Sequence, residues 1–266
     1  RAAQGLYPPG STFKILTASA ALAEDPDYIN YSMVCEGEKR FNSSTRIRCY
    51  DSKAHGHEDM TKAFAKSCNT YFSTVGTMLG IEKLNSTAYT FKFNQVLEFP
   101  LEYSKSSFSL PLDSSLSAVV ETSIGQGKTL VTPLHMAMIT SAVANGGIMM
   151  KPYIVDHSQS QNGALKNRTI PEKLTEIMSA NEAAQITELM KSVVNNGTAT
   201  DAAFTISESD FAVSGASFEL TSPGALGIPM GKVQVAGKTG TAENAGGDDH
   251  AWFVAFAPAD NSHVLF

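Results

Sequence analysis

Apolar positions recur at helical spacing directly after a stiff turn near the start of the chain. Tyr7-Pro8-Pro9-Gly10 forms this turn and directly precedes Ser11. In the residues that follow, apolar side chains stand three and four positions apart. This pattern predicts a helix that runs to about Ala23. The segment from 25 to 58 is polar and punctuated by Gly and Ser, and it predicts an irregular excursion.

Capping residues indicate five further helices. Gly80 separates two apolar-periodic segments, Thr132 followed by Pro133 starts a later helix, and Ser179 with Glu182 forms a capping box. The predicted helices cover 59–66, 70–79, 81–91, 132–145 and 179–194.

The last forty or so residues change to a strand pattern. Val233 to Thr239 and Ala251 to Phe256 are predicted strands, joined by a turn at Asn244 to Asp249. Helices are predicted for the middle of the chain and a sheet for its C-terminal part. The sequence therefore predicts a mixed α/β fold, with a mostly helical lobe at about 24–175 and a sheet lobe completed by about 176–266.

Composition limits the functions that this fold could serve. The chain has 266 residues, of which 42% are hydrophobic, enough for one large domain or two packed lobes. Its net charge of −6 argues against a nucleic-acid partner. The apolar stretch Ile15 to Ala23 is too short to span a bilayer. A phosphate loop ending at Lys128-Thr129 is also rejected, because Thr122 stands where that motif needs its first glycine.

Ser11-Thr12-Phe13-Lys14 is the first candidate for chemistry. Residues three apart on a helix share a face, so the Lys14 amine can reach the Ser11 hydroxyl. A serine nucleophile needs such a base, and a lysine serves only when its pKa is lowered. By itself the pattern is more often a capping serine and a solvated lysine.

Two further motifs indicate a function only in combination with the first. In Ser67-Cys68-Asn69, a hydroxyl and an amide flanking one residue can point together into a cleft, although such a triplet is more often a helix cap. Lys238-Thr239-Gly240-Thr241 lies on a predicted strand, where the lysine and threonine could bind a carboxylate. Gly240 would let a substrate backbone approach, although a flexible strand end explains this motif equally well.

The three motifs occur in the order and contexts of penicillin-binding proteins and their β-lactamase relatives. The surrounding sequence resembles class B penicillin-binding proteins over essentially the whole chain. The resemblance lies in 7–14, in Ile124-Gly125-Gln126-Gly127 with Val131-Thr132-Pro133-Leu134, and in 236–243 and 250–258. It implies a β-lactamase/transpeptidase-like fold, with an antiparallel sheet packed between helices. The family has two strands before the nucleophile, so we expect those strands, a membrane anchor and an amino-terminal region upstream of Arg1.

The resemblance implies a serine-type peptidoglycan D,D-transpeptidase that is the target of β-lactams. Ser11 would attack the D-Ala–D-Ala amide of a stem peptide, Lys14 would take its proton and Ser67 would relay a proton to the leaving amine. The acyl group would pass to a neighbouring stem. A D,D-carboxypeptidase or β-lactamase, and a penicillin sensor, are the alternatives.

The same resemblance implies the binding residues and the setting. Asn69 would hold the substrate amide, Lys238 and Thr239 its terminal carboxylate, and the N–H groups of Ser11 and Thr241 the oxyanion. No cofactor is expected for catalysis. The full-length protein would act at the extracytoplasmic face of the cell membrane with a glycosyltransferase partner, in elongation, division or sporulation.

Three cysteines and a histidine form a separate series. Cys35, Cys49, His55 and Cys68 make a Cys3His set suited to structural zinc, and Cys68 must face away from a cleft that Ser67 and Asn69 face. A Cys35–Cys49 disulfide is the alternative, and His57 could replace His55. The set also resembles a metal site of some elongation-type members of the family.

Overall fold

The computed structural model describes residues 1–200, 204–206, 231–242, 249–260 and 264–265. Six α-helices lie in these residues, and each of the helices expected from the capping signals is present. They are α1 (Lys14–Glu24), α2 (Met60–Ala65), α3 (Asn69–Thr90), α4 (Leu116–Thr122), α5 (Pro133–Ala144) and α6 (Ala180–Asn196). None of the helices in this described part is long and apolar enough to cross a membrane.

Helix α1 is the centre of the core. A short 3-10 turn, Gly10–Phe13, leads into it, and every residue from Lys14 to Leu22 is buried. A helix buried on all sides needs small residues where neighbours approach, and Ala18, Ala20 and Ala21 provide them. Helices α3 and α6 pack against α1. The turn Gly10–Phe13, which carries the predicted nucleophile Ser11 and is called the nucleophile turn below, is therefore attached to a helix that is buried on all sides.

The predicted caps fix the starts and ends of the other helices. Asp59 accepts a hydrogen bond from the Lys62 N–H at the start of α2, and Ser179 and Glu182 form the expected capping box of α6. Gly80 interrupts α3 with a φ of 76° and a ψ of 177°, so α3 consists of two helical segments as predicted.

Thirteen short strands are described, all in antiparallel pairs. They are β1 (Ser32–Cys35), β2 (Glu38–Arg40), β3 (Arg46–Arg48), β4 (Gly56–Asp59), β5 (Ile148–Met150), β6 (His157–Gln159), β7 (Leu165–Arg168), β8 (Lys173–Glu176), β9 (Phe204–Ile206), β10 (Gly231–Val233), β11 (Ala236–Ala242), β12 (His250–Ala257) and β13 (Val264–Leu265). Strand β12 pairs with β11 and β13, while the remaining strands form two-stranded pairs: β1 with β4, β2 with β3, β5 with β8, β6 with β7, and β9 with β10.

Strand β11 carries the third motif, and helices pack against the sheet to which it belongs. Lys238 pairs with Val254 and Thr239 with Phe253 in the β11–β12 ladder. Helix α6 packs against β11 and α5 against β12. The single strand predicted at 233–239 is instead divided between β10 and β11, and most of the predicted turn at 244–249 lies outside the described residues.

Two sequence predictions need correction. The excursion at 25–58 is not irregular throughout, because β1 pairs with β4 and β2 pairs with β3. Helix α4 was missed in a serine-rich segment, although Ser115 caps it by accepting from the Ala118 N–H. The division into two lobes stays a prediction; α6 contacts both α2 and β11, so it joins the proposed lobes.

Glycines allow three backbones to meet at the nucleophile turn. The Gly10 N–H donates to the Gly125 carbonyl at 3.0 Å. A Cβ on Gly125 would lie 2.0 Å from the Gly10 oxygen, and a Cβ on Gly10 would lie 2.3 Å from the Thr241 oxygen. The turn is thus held between β11 and the loop after α4, with no room for a side chain on either side.

Gly125 offers a test of this packing with a matched control. Gly125→Ala should lower the free energy of unfolding by at least about 3 kcal/mol, because it adds a clash with Gly10 to the cost of a positive φ. Gly127→Ala has nearly the same φ, +76° against +77°, but its Cβ meets nothing closer than 3.7 Å. It should cost only about 1–2 kcal/mol. Urea denaturation of both variants measures the difference, and equal losses would contradict the close contact.

Candidate active site

The first two motifs meet at the Lys14 amine. Lys14 Nζ lies 2.9 Å from Ser11 Oγ, 2.7 Å from the Ser67 carbonyl oxygen, 3.2 Å from Ser67 Oγ and 2.7 Å from Asn69 Oδ1. Ser11 and Lys14 face each other across one turn, and α3 begins at Asn69. The structure thus brings together residues 53 to 55 positions apart in the sequence.

The acceptors around Lys14 orient its lone pair. A neutral amine has two hydrogens, and the Ser67 carbonyl and the Asn69 side-chain oxygen can only accept them. With both hydrogens donated there, the lone pair is left to accept from a hydroxyl. Ser11 Oγ, at 2.9 Å, is the nearer of the two hydroxyls around this amine. The geometry suits a proton transfer from Ser11 to Lys14.

Burial makes the amine a usable base. Lys14 is fully buried, and this desolvation lowers its pKa to about 8, although electrostatic interactions with the acidic groups of Cys68, Cys49 and Glu58 work in the opposite direction. The amine therefore has a substantial neutral fraction at physiological pH.

Lys238 reaches the same place from the sheet. Its Nζ donates to Ser67 Oγ at 2.9 Å and to the Thr239 carbonyl at 2.9 Å. Burial lowers the pKa of Lys238 well below its usual value, and the charge of Lys14 lowers it further. The Thr239 hydroxyl contacts that of Thr198, which follows α6. Ser67 Oγ therefore lies between two lysine amines.

Ser67 occupies an unusual backbone position. The Cys68 N–H donates to the Ala63 carbonyl and the Ser67 N–H to that of Phe64, which is the Schellman pattern at the end of α2. Ser67 takes the left-handed residue of this motif, with a φ of 56°, where glycine is usual. The strained turn aims its hydroxyl at Lys14 and Lys238.

The backbone that approaches Gly240 belongs to this chain. A Cβ there would lie 2.9 Å from Thr12 Cγ2, 3.1 Å from Thr12 N and 3.2 Å from the Pro9 oxygen. From the sequence, Gly240 was expected to let a substrate backbone approach. In the structure, its packing against the nucleophile turn explains the glycine instead. Thr241 is exposed, and its carbonyl lies beside Gly10.

The cysteine series gathers directly behind Asn69 and Ser67. The sulfur of Cys49 lies 3.7 Å from those of both Cys35 and Cys68, and Cys35 Sγ lies 3.5 Å from His55 Nδ1. The four ligand atoms all lie within 4.8 Å of one another. A disulfide needs about 2.05 Å between sulfurs, so these are separate thiols. As predicted, Cys68 faces away from its two neighbours.

The donor set fits a tetrahedral zinc ion. Zinc–sulfur bonds of about 2.3 Å place two thiolates about 3.8 Å apart, and a thiolate and an imidazole nitrogen about 3.6 Å apart. The Glu58 carboxylate, 3.8 Å from His55 Nδ1, is buried without a hydrogen-bond partner among the described residues. His57 is exposed on β4 and is not in the cluster, so His55 is the histidine of this set.

A comparison with known protein families identifies the family to which this site belongs. The model of the penicillin binding protein transpeptidase domain matches residues 1–266. The chain belongs to this family. The expected fold is confirmed as well, since solved transpeptidase domains superimpose on it.

Peptidoglycan D,D-transpeptidases are among the similar curated proteins. PbpA of Mycobacterium tuberculosis is 33% identical over 274 residues, and PbpA of Mycolicibacterium smegmatis is 32% identical over 283. Each match covers 99% of this chain and 50% of the relative. The chain therefore spans about half the length of these relatives.

Two solved structures show the same fold. The ceftriaxone acyl-enzyme complex of M. tuberculosis penicillin-binding protein A has a TM-score of 0.77 at 31% identity, over 98% of this chain and 54% of that one. The D,D-transpeptidase domain of a peptidoglycan glycosyltransferase from Eggerthella lenta has a TM-score of 0.80 at 30% identity, over 98% and 60%.

Two contacts that position the site in this transpeptidase domain were not predicted from the sequence. Trp252 Nε1 donates to the Pro8 carbonyl at 3.0 Å and holds the nucleophile turn from β12. Asn69 Nδ2 donates to the Arg48 carbonyl at 2.8 Å, which ties the motif to the β2–β3 hairpin. These contacts join distant segments, and the only local signal was that Trp252 lies in a strand pattern.

The left-handed backbone conformation of Ser67 leads to a prediction about stability. Ser67→Gly and Ser67→Ala both lose the hydroxyl, but only alanine retains the strain of a positive φ. The Gly variant should exceed the Ala variant by about 1 kcal/mol in free energy of unfolding, measured by urea denaturation. An Ala variant as stable as the Gly variant would contradict a strained turn.

Proposed function

We propose that this domain is a peptidoglycan D,D-transpeptidase with Ser11 as nucleophile. The observation that carries the proposal is the buried Lys14 amine, whose hydrogens are directed to two carbonyl-type acceptors while Ser11 Oγ lies 2.9 Å away. The similar proteins named D,D-transpeptidases support it.

Acylation begins when Ser11 Oγ attacks the carbonyl carbon of the D-Ala–D-Ala amide and its proton passes to Lys14. The C–Oγ bond forms first and gives a tetrahedral oxyanion, and the C–N bond breaks when this intermediate collapses. Ser67 Oγ, which contacts both lysines, relays a proton to the departing amine, and D-Ala leaves. An amine of a second stem then attacks the ester, which forms the cross-link and regenerates Ser11.

The binding residues surround this reaction. Asn69 holds the substrate amide, while Lys238 and Thr239 receive the terminal carboxylate, whose charge favours the protonated form of Lys238. Gly240 completes the strand that flanks the substrate. The N–H groups of Ser11 and Thr241 bind the oxyanion; Ser11 lies in the first turn of its helix, where N–H groups lack intrahelical partners.

β-Lactams acylate the same serine in this proposal, and the ceftriaxone acyl-enzyme complex of the M. tuberculosis protein supports it. We further propose that the full-length protein acts at the extracytoplasmic face of the cell membrane, through an anchor, with a glycosyltransferase partner. The Eggerthella lenta structure, a transpeptidase domain of a peptidoglycan glycosyltransferase, supports that pairing of activities.

Acylation should depend on the neutral form of Lys14. Because its pKa is lowered to about 8, the rate of Ser11 acylation by a fluorescent penicillin should rise about tenfold per pH unit below about pH 8 and level off above it. Stopped-flow fluorescence on the full-length protein measures this profile.

Two variants serve as controls for the acylation assay. Ser11→Ala should abolish covalent labelling, and Lys14→Arg should lower the rate at every pH because arginine stays protonated. Labelling that persists in Ser11→Ala would remove the proposed function. A profile that is flat from pH 6 to 9 would remove Lys14 as the base.

We also propose that Cys35, Cys49, His55 and Cys68 hold a structural zinc ion. The interatomic distances that match tetrahedral coordination support it, as does the burial of all three cysteines. When bound, the ion would cross-link the end of β1, the residue after β3, the residue before β4 and the residue before α3.

Two histidines give a matched test of the zinc site. His55→Ala should reduce zinc content well below one per chain and lower the melting temperature, whereas His57→Ala, two residues away and exposed, should keep both near wild type. Elemental analysis and thermal denaturation measure the outcome. Metal-free wild-type protein whose intact mass is two hydrogens short would instead support the Cys35–Cys49 disulfide.

A further inference from the structure

Two threonine hydroxyls contact each other between the end of α6 and strand β11. Thr198, two residues beyond the end of α6, places its Oγ1 at 2.5 Å from Oγ1 of Thr239. Neither hydroxyl has another hydrogen-bond partner among the described residues. Thr198 is exposed and Thr239 is half-buried, so this hydroxyl pair is open to a ligand. The proposed mechanism involves Thr239 but not Thr198.

The backbone around Thr198 fixes the position of its side chain. The Thr198 N–H donates to the Ala65 carbonyl at 3.1 Å. A Cβ on Gly197 would lie 2.3 Å from the same carbonyl oxygen, so a glycine is needed where the two segments meet. Ala65 is the last residue of α2 and lies two residues before Ser67. Thr198 is therefore attached to the turn that positions the Ser67 hydroxyl.

The hydroxyl pair lies beside the nucleophile turn. Gly240 packs against Thr12, because a Cβ on Gly240 would lie 3.1 Å from the Thr12 nitrogen. Ser11 is the residue before Thr12 in the chain. Thr239 is the residue before Gly240, so Ser11 and Thr239 are each one residue away from this contact. The Thr198–Thr239 contact is therefore a neighbour of the nucleophile and not a remote feature of the surface.

Hydrogen-bond donors on this side of the site lack a negatively charged partner. Lys238 Nζ lies 2.9 Å from the Thr239 carbonyl, which places the amine next to the hydroxyl pair. Lys14 and Lys238 are both fully buried, and neither forms an ion pair with any residue in the described part of the chain. Burial lowers the pKa of Lys238, and the charge of Lys14 lowers it further, with no carboxylate opposing them. An anionic ligand would supply the missing partner.

The hydrogens of the pair determine how it can meet such an anion. Two hydroxyls in contact have two hydrogens, and only one of them lies between the two oxygens. The second hydrogen is available to a ligand, and a carboxylate can only accept it. When Thr198 donates to Thr239, the available hydrogen is that of Thr239, next to the Lys238 amine. Accepting one hydrogen bond also strengthens the hydrogen bond that a hydroxyl donates.

We propose that Thr198 is a positioning residue for substrate binding, whose hydroxyl donates to Thr239 Oγ1 and thereby orients the Thr239 hydroxyl toward the terminal carboxylate of the substrate. Thr198 acts through Thr239 and makes no contact of its own with the substrate. The inference rests on the proposed transpeptidase function, in which Lys238 and Thr239 receive that carboxylate.

The test compares two ligands that differ only in the negative charge. Benzylpenicillin and its methyl ester share the reactive ring, but only the acid has a carboxylate. In the full-length protein, Thr198→Val should lower the acid-to-ester ratio of second-order acylation rate constants by at least about fivefold. The loss should lie in the rate constant for the acid alone. Thr198→Ser should keep the ratio within about twofold of wild type, because serine retains the hydroxyl.

Thr187→Val is the matched control in the preceding helix. The Thr187 hydroxyl donates to the Ala183 carbonyl at 2.8 Å, within α6 itself, so its removal should leave the ratio unchanged. Thermal denaturation of each variant reports any change in stability separately. If Thr198 served only to hold the loop in place, Thr198→Val would lower the rate constants for acid and ester by the same factor, and that result would overturn the inference.

A double-variant cycle separates positioning from direct contact. In a Thr239→Val background, Thr198→Val should have no further effect on the ratio, because its effect is transmitted through Thr239. Additive losses would refute the positioning role and give Thr198 a carboxylate contact of its own. A wild-type ratio in Thr198→Val would also refute it. Wild-type protein that forms no acyl-enzyme with either ligand would instead contradict the proposed function, which keeps the two failures apart.

Discussion

Two lysine amines are buried within hydrogen-bond distance of one serine hydroxyl, and the rest of the site follows from that constraint. Lys14 Nζ and Lys238 Nζ lie at most about 6 Å apart, because each contacts Ser67 Oγ. Two full charges at that separation repel by about 3 kcal/mol at an effective dielectric constant of about 20. Together with desolvation, this repulsion disfavours the doubly protonated state: burial and the charge of Lys14 lower the pKa of Lys238, while burial lowers that of Lys14.

Such an arrangement persists only if the surrounding backbone enforces it. The buried helix α1 fixes Lys14, the Schellman turn holds Ser67 in a left-handed conformation, and the ladder to β12 fixes Lys238. At the nucleophile turn, Gly10 and Gly125 permit contacts between backbones that any side chain would prevent. The packing of the core therefore stabilises Lys14, Ser67 and Lys238 in positions that would be unfavourable without it.

Cys68 connects this chemistry to a second structural unit. The residue lies between Ser67 and Asn69, and its thiol packs into the cysteine cluster on the far side of the loop. The same cluster includes Cys49, next to Arg48, whose carbonyl accepts from Asn69. The cysteine cluster and the β2–β3 hairpin therefore both contact the short loop that carries Ser67 and Asn69.

The sequence by itself determined the family-defining motifs, the capped helices and the four members of the cysteine series, because each depends on local spacing or on a residue type suited to one role. It also indicated that Cys68 faces away from the cleft, since side chains that flank it share the opposite direction. The short strands β1 to β4 were missed because tertiary contacts rather than a repeating pattern support them. Only the tertiary structure could decide that Gly240 packs on Thr12, that Gly125 meets Gly10, and that Lys14 is fully buried. Those facts depend on segments far apart in the chain, and burial, which sets the pKa of a lysine, is a property of the assembled core.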